Sequence, residues 1–267
     1  MYRRVMVSSS HVAPPFVRMA AHPLRWRLLT ELASSDYRVR ELTDRIGEPQ
    51  NLISYHLRLL RGDGLVTARR SSFDGRDTYY HLDLDRCAHA LATAGAALHP
   101  ALSPDSPSPS ATPPSRHDQI RILVACTGNS ARSPIAEALL HHRGRDSRIE
   151  VTSAGSHPKP QIHPHAIRVL REEFGIEIAG RRPRHLDTMT DQRFDYVITL
   201  CDKVREVCPD FGDQHRPVHW SIPDPAAAGT TNQDTYPAFA HVATEIDTRV
   251  RHLLPALATT AHQEVDP

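Results

Sequence analysis

Lysine is nearly missing from this 267-residue chain: Lys159 and Lys203 are the only two among 32 basic residues, so its positive charge is arginine charge. This reads as a composition bias more than a functional one. An excess of one sign is lacking as well. The formal net charge is +1, so the total points to neither an acidic nor a basic partner. No run of about 18 apolar residues exists, which excludes a membrane-spanning helix. The opening MYRRVMVSSSHVAPPF has two arginines but no apolar core, so it fails as a secretory signal and a cytoplasmic location is expected. Cysteine is scarce. Cys87, Cys126, Cys201 and Cys208 are too few and too spread for a disulfide scaffold. In a reducing compartment such thiols are reactive or metal-binding more often than bridging.

What is present suffices for packed cores. Hydrophobic residues make up 39% and charged residues 24%, which excludes a wholly disordered chain. The length suggests two domains. Residues 100–116 read PALSPDSPSPSATPPSR, a segment that cannot bury a core and reads as an extended linker. It divides the chain into residues 15–99, a linker at 100–118, and residues 119–258. Charge divides with it. The first hundred residues hold 14 arginines against 10 acids, and the remainder 18 basic residues against 21 acids. A mildly basic front half suits a nucleic-acid partner.

The front half reads as helices, then a hairpin, then a helix. Leu28, Leu29 and Leu32 share one helical face; Val39, Leu42 and Ile46 share the next, with Gly47 as a stop. In PQNLISYHLRLLRGDG, Leu52, Ile53, Leu57 and Leu60 form the apolar face. LVTARRSSFDGRDTYYHLDL carries Asp74-Gly75 at its middle, a hairpin signal, and residues 85–98 read as one more helix. The back half alternates strand and helix. IRILVAC, IEVTSAG, FDYVITLC and RPVHWSI are strands, and the final helix over 234–254 turns Phe239, Val242, Ile246, Val250 and Leu253 to one side. Such alternation predicts a parallel sheet covered on both faces. The expected fold class is α/β: an N-terminal winged helix-turn-helix (α+β), then a four-stranded parallel sheet with helices on both faces.

Ligands of open parallel sheets bind beyond the carboxyl ends of the strands. The first strand of the back half ends in Cys126, and CTGNSARS runs from it straight into a helix with Pro134 in its first turn. Gly128 lets the backbone curl. The N–H groups of Thr127, Gly128, Asn129, Ser130, Ala131, Arg132 and Ser133 then form a nest for an anion at a helix N-terminus. Arg132 can return to the same anion with its fork of donors. Asn129 can brace the loop, and Ser133 can donate to the sulfur. These surroundings favour the thiolate, and the chemistry is nucleophilic attack on a tetrahedral oxyanion. The plain alternative is a buried cysteine beside a tight turn. The buried strand before it, the glycine, and Ser-Pro opening a helix after it weigh against chance.

On CTGNSARSPIAEALL, SAG at 153–155 and SIPDPA, residues 119–258 resemble the low-molecular-weight protein tyrosine phosphatases and, within them, the thioredoxin-coupled arsenate reductases. The resemblance implies a general acid at Asp224, which precedes Pro225; alone, this pair reads as an ordinary turn. It implies arsenate as substrate. It also implies a relay in which Cys126 attacks arsenic, Cys201 attacks Cys126 and releases arsenite, and Cys208 attacks Cys201, with thioredoxin reducing the last disulfide. Phosphatase and reductase share the loop, and LCDKVREVC separates them. Cys208 follows Cys201 by seven residues in a short helix, so their disulfide requires local rearrangement. A phosphatase needs neither thiol, and it commonly carries an aromatic residue after Asp-Pro, where Ala226, Ala227 and Ala228 stand here. Two structural cysteines or a zinc half-site are further readings, although no histidine or cysteine partner stands nearby. No resident cofactor and no metal are implied beyond a potassium ion of some relatives. Glu137 and Asn129 match that site, but GRRPRHLD (180–187) departs from it. There Arg181, Arg182 and Arg184 read as a solvated loop face or an attractor of oxyanions.

PQNLISYHLRLLRGDGLVTARR is similar to ArsR-type repressors over about residues 15–98. Double-stranded DNA is the implied partner. Gln50, Asn51, Ser54, Tyr55 and Arg58 face away from the core positions and suit the major groove, while Arg69, Arg70 and Arg76 on the wing suit phosphates. A winged helix serving protein contacts alone is the other reading. The resemblance also implies a homodimer, with 85–98 as its helix. No cysteine pair stands before the recognition helix, so Cys87 reads as a packed residue. A transcription regulator whose back half binds an oxyanion without turnover is the reading from another functional class.

Overall fold

The computed structural model describes residues 13–99, 119–145, 149–211, 215–229 and 232–263. The expected linker at 100–118 lies outside them. Two apolar cores organise the chain. The first holds Leu28, Leu42, Ile53, Leu57 and Leu60, each fully buried. They sit on α2 (Pro23–Ser34), α3 (Val39–Ile46) and α4 (Gln50–Gly62), the three helices that the apolar spacing predicts. Gly47 closes α3 at φ 77°, a left-handed conformation that glycine takes without strain. The hairpin follows as β2 (Val66–Arg70) and β3 (Thr78–Leu82), antiparallel with Ala68 opposite Tyr80, and then α5 (Leu84–Leu98). Two elements were not expected: α1 (Pro15–Ala20), and β1 (Tyr37–Arg38), which pairs with β3. A two-residue strand has no period to read.

The second core lies around four parallel strands in the order β5-β4-β6-β7. These are β4 (Ile120–Cys126), β5 (Ile149–Gly155), β6 (Tyr196–Thr199) and β7 (Arg216–His219). The helices are α6 (Arg132–Arg143), α7 (Pro164–Phe174), α8 (Asp202–Val207) and α9 (Asn232–Gln263). The last runs beyond the expected 234–254 and contains Pro237 and Pro255. In register, Cys126 lies beside Gly155, and Thr199 lies between Ala125 and His219. The carboxyl ends of all four strands therefore share one edge of the sheet, and the loops that follow them meet there.

The two cores meet through polar contacts. The Asp36 N–H donates to the His219 carbonyl at 2.8 Å, and the His219 N–H to Ser35 Oγ at 2.8 Å. Arg249 of α9 grips both Asp36 oxygens at 3.0 and 3.1 Å. Burial alone would raise the Asp36 carboxyl, yet Arg249, with His81 and His219, holds it below the ordinary range.

Candidate active site and nucleic-acid surface

The loop after β4 is shaped by what lies beneath it. A Cβ on Gly155 would stand 2.6 Å from the Thr127 carbonyl and 2.8 Å from the Asn129 nitrogen, so only glycine lets β5 approach this closely. The carbonyls of Thr127, Gly128 and Ser130 accept from His157, Lys159 and His163 at 2.8–2.9 Å. Across a trans peptide the N–H points opposite to the carbonyl, so this belt turns the following N–H groups to the other side of the loop. Asn129 sits at φ 42°, a conformation that its own short amide tolerates.

Cys126 is 2% exposed, and Ser133 Oγ lies 3.0 Å from its sulfur. Arg132 is buried. Its Nη1 donates to the Ile222 carbonyl at 2.9 Å, its Nη2 pairs with Asp224 Oδ2 at 3.3 Å, and its Nε is buried without a hydrogen-bond partner. A buried guanidinium nitrogen left unpaired beside a loop of N–H donors is a donor aimed at an anion. Asp224 is half exposed, caps the one-turn 3-10 helix Pro225–Ala227 as the turn reading has it, and in the same position meets Arg132.

Asn129 braces the loop as expected, but the support that Ser153, Glu137 and Arg184 give it was not read from the sequence. Asn129 Nδ2 donates to Ser133 Oγ and Ser153 Oγ, both at 2.9 Å, and Ser153 Oγ donates to Glu137 Oε2 at 2.7 Å. Arg184 Nη2 reaches both oxygens of Glu137 at 2.8 and 3.0 Å, with Arg181 at 3.5 Å. The Arg184 N–H also donates to Asn129 Oδ1 at 2.7 Å. The reading of this arginine loop as a solvated face is therefore corrected for Arg184, whose guanidinium a buried carboxylate draws inward, while Arg181 stays exposed at the edge of the same carboxylate. Arg182 is exposed. A glutamate inside an apolar helical face, Glu137 in SPIAEALL, was the signal that could have found this network.

The two further thiols flank α8. Cys201 is its N-cap residue and 2% exposed, with Sγ 3.2 Å from Thr127 Oγ1, the neighbour of Cys126. Cys208 is the C-cap residue, half-buried against the same core. Burial pushes its thiol up from the ordinary 9.0 to about 11. Among the described residues no group of three metal-ligating side chains exists, and all four cysteines are free.

On the front half, Gln50, Asn51, Tyr55 and Arg58 are exposed along α4, and Ser54 is half-buried. Arg70 and Arg76 are exposed on the hairpin. Arg69 departs from expectation. It donates to the Ser221 carbonyl and pairs with Glu245 of α9 at 3.1 Å, so it faces the back half. Strand alternation explains this, because neighbouring residues 69 and 70 point to opposite faces. Cys87 is buried, and burial, with Asp83 nearby, raises its thiol to about 11.

Among the described residues no helix is long and apolar enough to cross a membrane. Compared with known proteins, residues 22–68 match the bacterial regulatory protein family arsR, and residues 121–264 match low molecular weight phosphotyrosine protein phosphatase. A protein of Halalkalibacterium halodurans named arsenate reductase is 33% identical over 130 residues, which cover 49% of this chain and 91% of that protein. An arsenate reductase of Bacillus subtilis is 29% identical over 131 residues, with the same coverage. A solved Corynebacterium glutamicum thioredoxin-dependent arsenate reductase is 30% identical, covering 53% of this chain and 62% of that one, at a TM-score of 0.42. With its arsR-type domain in front and more than half its length matched behind, the chain belongs to the low molecular weight phosphotyrosine protein phosphatase family.

Proposed function

We propose that the chain is an arsenate reductase whose three thiols work as a relay regenerated by thioredoxin, fused to a DNA-binding regulator domain. The observation that carries this reading is the placement of Cys201 and Cys208. One thiol touches the loop of Cys126, and the other waits one short helix away. The Cys126 thiolate attacks arsenic in arsenate held by the loop and Arg132, and Asp224 protonates the departing oxygen. The Cys201 thiolate then attacks Cys126 sulfur. The new disulfide leaves two electrons on arsenic, and arsenite departs. The Cys208 thiolate attacks Cys201, freeing Cys126 and leaving the Cys201–Cys208 disulfide for thioredoxin. A reducing compartment such as the cytoplasm suits these free thiols.

No potassium ion is needed under the loop. The Arg184 guanidinium already neutralises Glu137, so an additional cation does not fit there. On the front domain, exposed residues of α4 with Arg70 and Arg76 form the DNA surface. Leu91 and Leu98, 55% and 81% exposed on α5, offer an apolar face to a second copy of the chain.

Arsenate-dependent oxidation of NADPH, coupled through thioredoxin and its reductase, tests the enzyme. Wild type turns over. Cys208→Ala releases at most one arsenite per chain and stops. Silence of the wild type sinks the reductase, and aryl-phosphate turnover that survives loss of both Cys201 and Cys208 establishes a phosphatase instead.

A further inference from the structure

The helix that separates the two relay thiols also holds the turn of the wing. Asp202, its first residue, is buried. Its Oδ2 accepts from the Ser72 N–H at 2.6 Å and from Ser72 Oγ at 3.1 Å, and its Oδ1 contacts Ser221 Oγ at 2.8 Å and His219 Nε2 at 3.1 Å. Burial alone would raise this carboxyl, but the hydrogen bonds from His219, Ser72 and Ser221 hold it well below the ordinary range. Ser72 belongs to the turn of the β2–β3 hairpin, the wing. One turn along α8, Arg205 pairs with Glu41 of α3 and donates to the Asp36 carbonyl. Beside it, Glu206 pairs with Arg38 at 3.4 Å. Residues 202, 205 and 206 share one face only while the segment is helical.

A Cys201–Cys208 disulfide does not permit that. Seven residues of straight helix span roughly 10 Å, while bridged cysteines stand about 4.4–6.8 Å apart at Cα. The segment must unwind, and its three anchors leave the positions that meet Ser72, Glu41 and Arg38. Contacts carried by β7 and α9, such as Asp36 with Arg249 and Arg69 with Glu245, do not involve this segment. A cleft of about 810 Å³ between the two halves already reaches Cys208 from the side of Ser35, Tyr37 and Trp220.

We propose that closing the Cys201–Cys208 disulfide releases the wing turn and the start of α3 from the enzyme, with Asp36–Arg249 retained as the hinge. Turnover thereby reaches the DNA-binding half. The enzyme half becomes the input of a redox-responsive regulator, an output that rests on the relay reading above. Linkage makes the coupling reciprocal: a docked wing turn opposes the disulfide by the same factor by which the disulfide undocks that turn.

Diamide tests this without arsenate. The two thiols lose two protons and two electrons, and the azo bond of diamide takes them up to become a hydrazine. Peptide mapping of the full chain shows whether the Cys201–Cys208 bond has formed, and amide hydrogen exchange then follows Ser72. The expected result is Ser72 exchange at least about tenfold faster in the bridged chain, with no change in diamide-treated Cys201→Ala. A mapped bond with unchanged Ser72 exchange overturns the coupling and leaves the relay standing. A chain that forms no such bond overturns both. As a second arm, Arg205→Ala weakens docking, so its dithiol–disulfide equilibrium against glutathione moves about fivefold toward the disulfide. An unmoved equilibrium also rejects the coupling.

Discussion

Replacing Arg184 by alanine tests the proposed support of the Cys126 loop. Glu137 is buried, its side chain 8% exposed, and Arg184 contacts both of its oxygens. Removing one partner of a fully buried ion pair costs about 3–5 kcal/mol. Two features reduce that here. The Arg184 side chain is 41% exposed, so water screens the pair, and Arg181 stands 3.5 Å from the same carboxylate. We expect about 1–2 kcal/mol. The loss falls on catalysis as well as stability, because Glu137 holds Ser153, Ser153 holds Asn129, and Asn129 holds Ser133 beside Cys126. Urea unfolding followed through buried Trp220 reports the stability change as a shifted midpoint at unchanged slope. Adding Glu137→Gln removes the stranded charge and should recover part of the loss, a coupling that a double-mutant cycle measures. Arsenate reduction by the wild type should be indifferent to exchanging sodium for potassium chloride, whereas Arg184→Ala should gain rate in potassium. An Arg184→Ala chain within about 0.5 kcal/mol of wild type, with no response to potassium, would refute this account of the loop.

Cys208 attacks as a thiolate but is held as a thiol, its value raised by burial from 9.0 to about 11. The release of Cys126 in single turnover should therefore climb about tenfold per pH unit between pH 6 and 9, and a flat profile would show that another step governs it. The sign for stability is opposite. A raised folded value favours the fold below pH 9, and that contribution is lost between pH 9 and about 11 as the unfolded chain ionises first. Gly155→Ala places a Cβ 2.6 Å from the Thr127 carbonyl, so the loop must shift. We expect about 1–3 kcal/mol of destabilisation and loss of arsenate reduction, read by thermal unfolding and the coupled assay; a fully active, equally stable variant would show that the loop does not need this close approach.

The local chemistry is written in consecutive residues. The spacing from Cys126 to Arg132, the buried strand before it and the helix after it are consecutive in the chain, and a loop made of consecutive residues is specified by them. The three helices of the front domain were legible for a similar reason, since Leu28 with Leu32, Leu42 with Ile46, and Ile53 with Leu57 and Leu60 recur at the helical period, each set within its own helix. Pairing between charges far apart in the chain emerges only with the fold. Arg184 lies 47 residues from Glu137, and Ser72 lies 130 residues from Asp202. No local period distinguishes an arginine that neutralises a buried carboxylate from one that faces water, and this is why GRRPRHLD read as a solvated loop and Arg69 as a phosphate contact. The same limit hid the wing's hold on α8. LCDKVREVC shows two thiols and a short helix. That Asp202, Arg205 and Glu206 of this helix meet the front domain depends on how two distinct cores sit together, and the spacing within either one does not encode it.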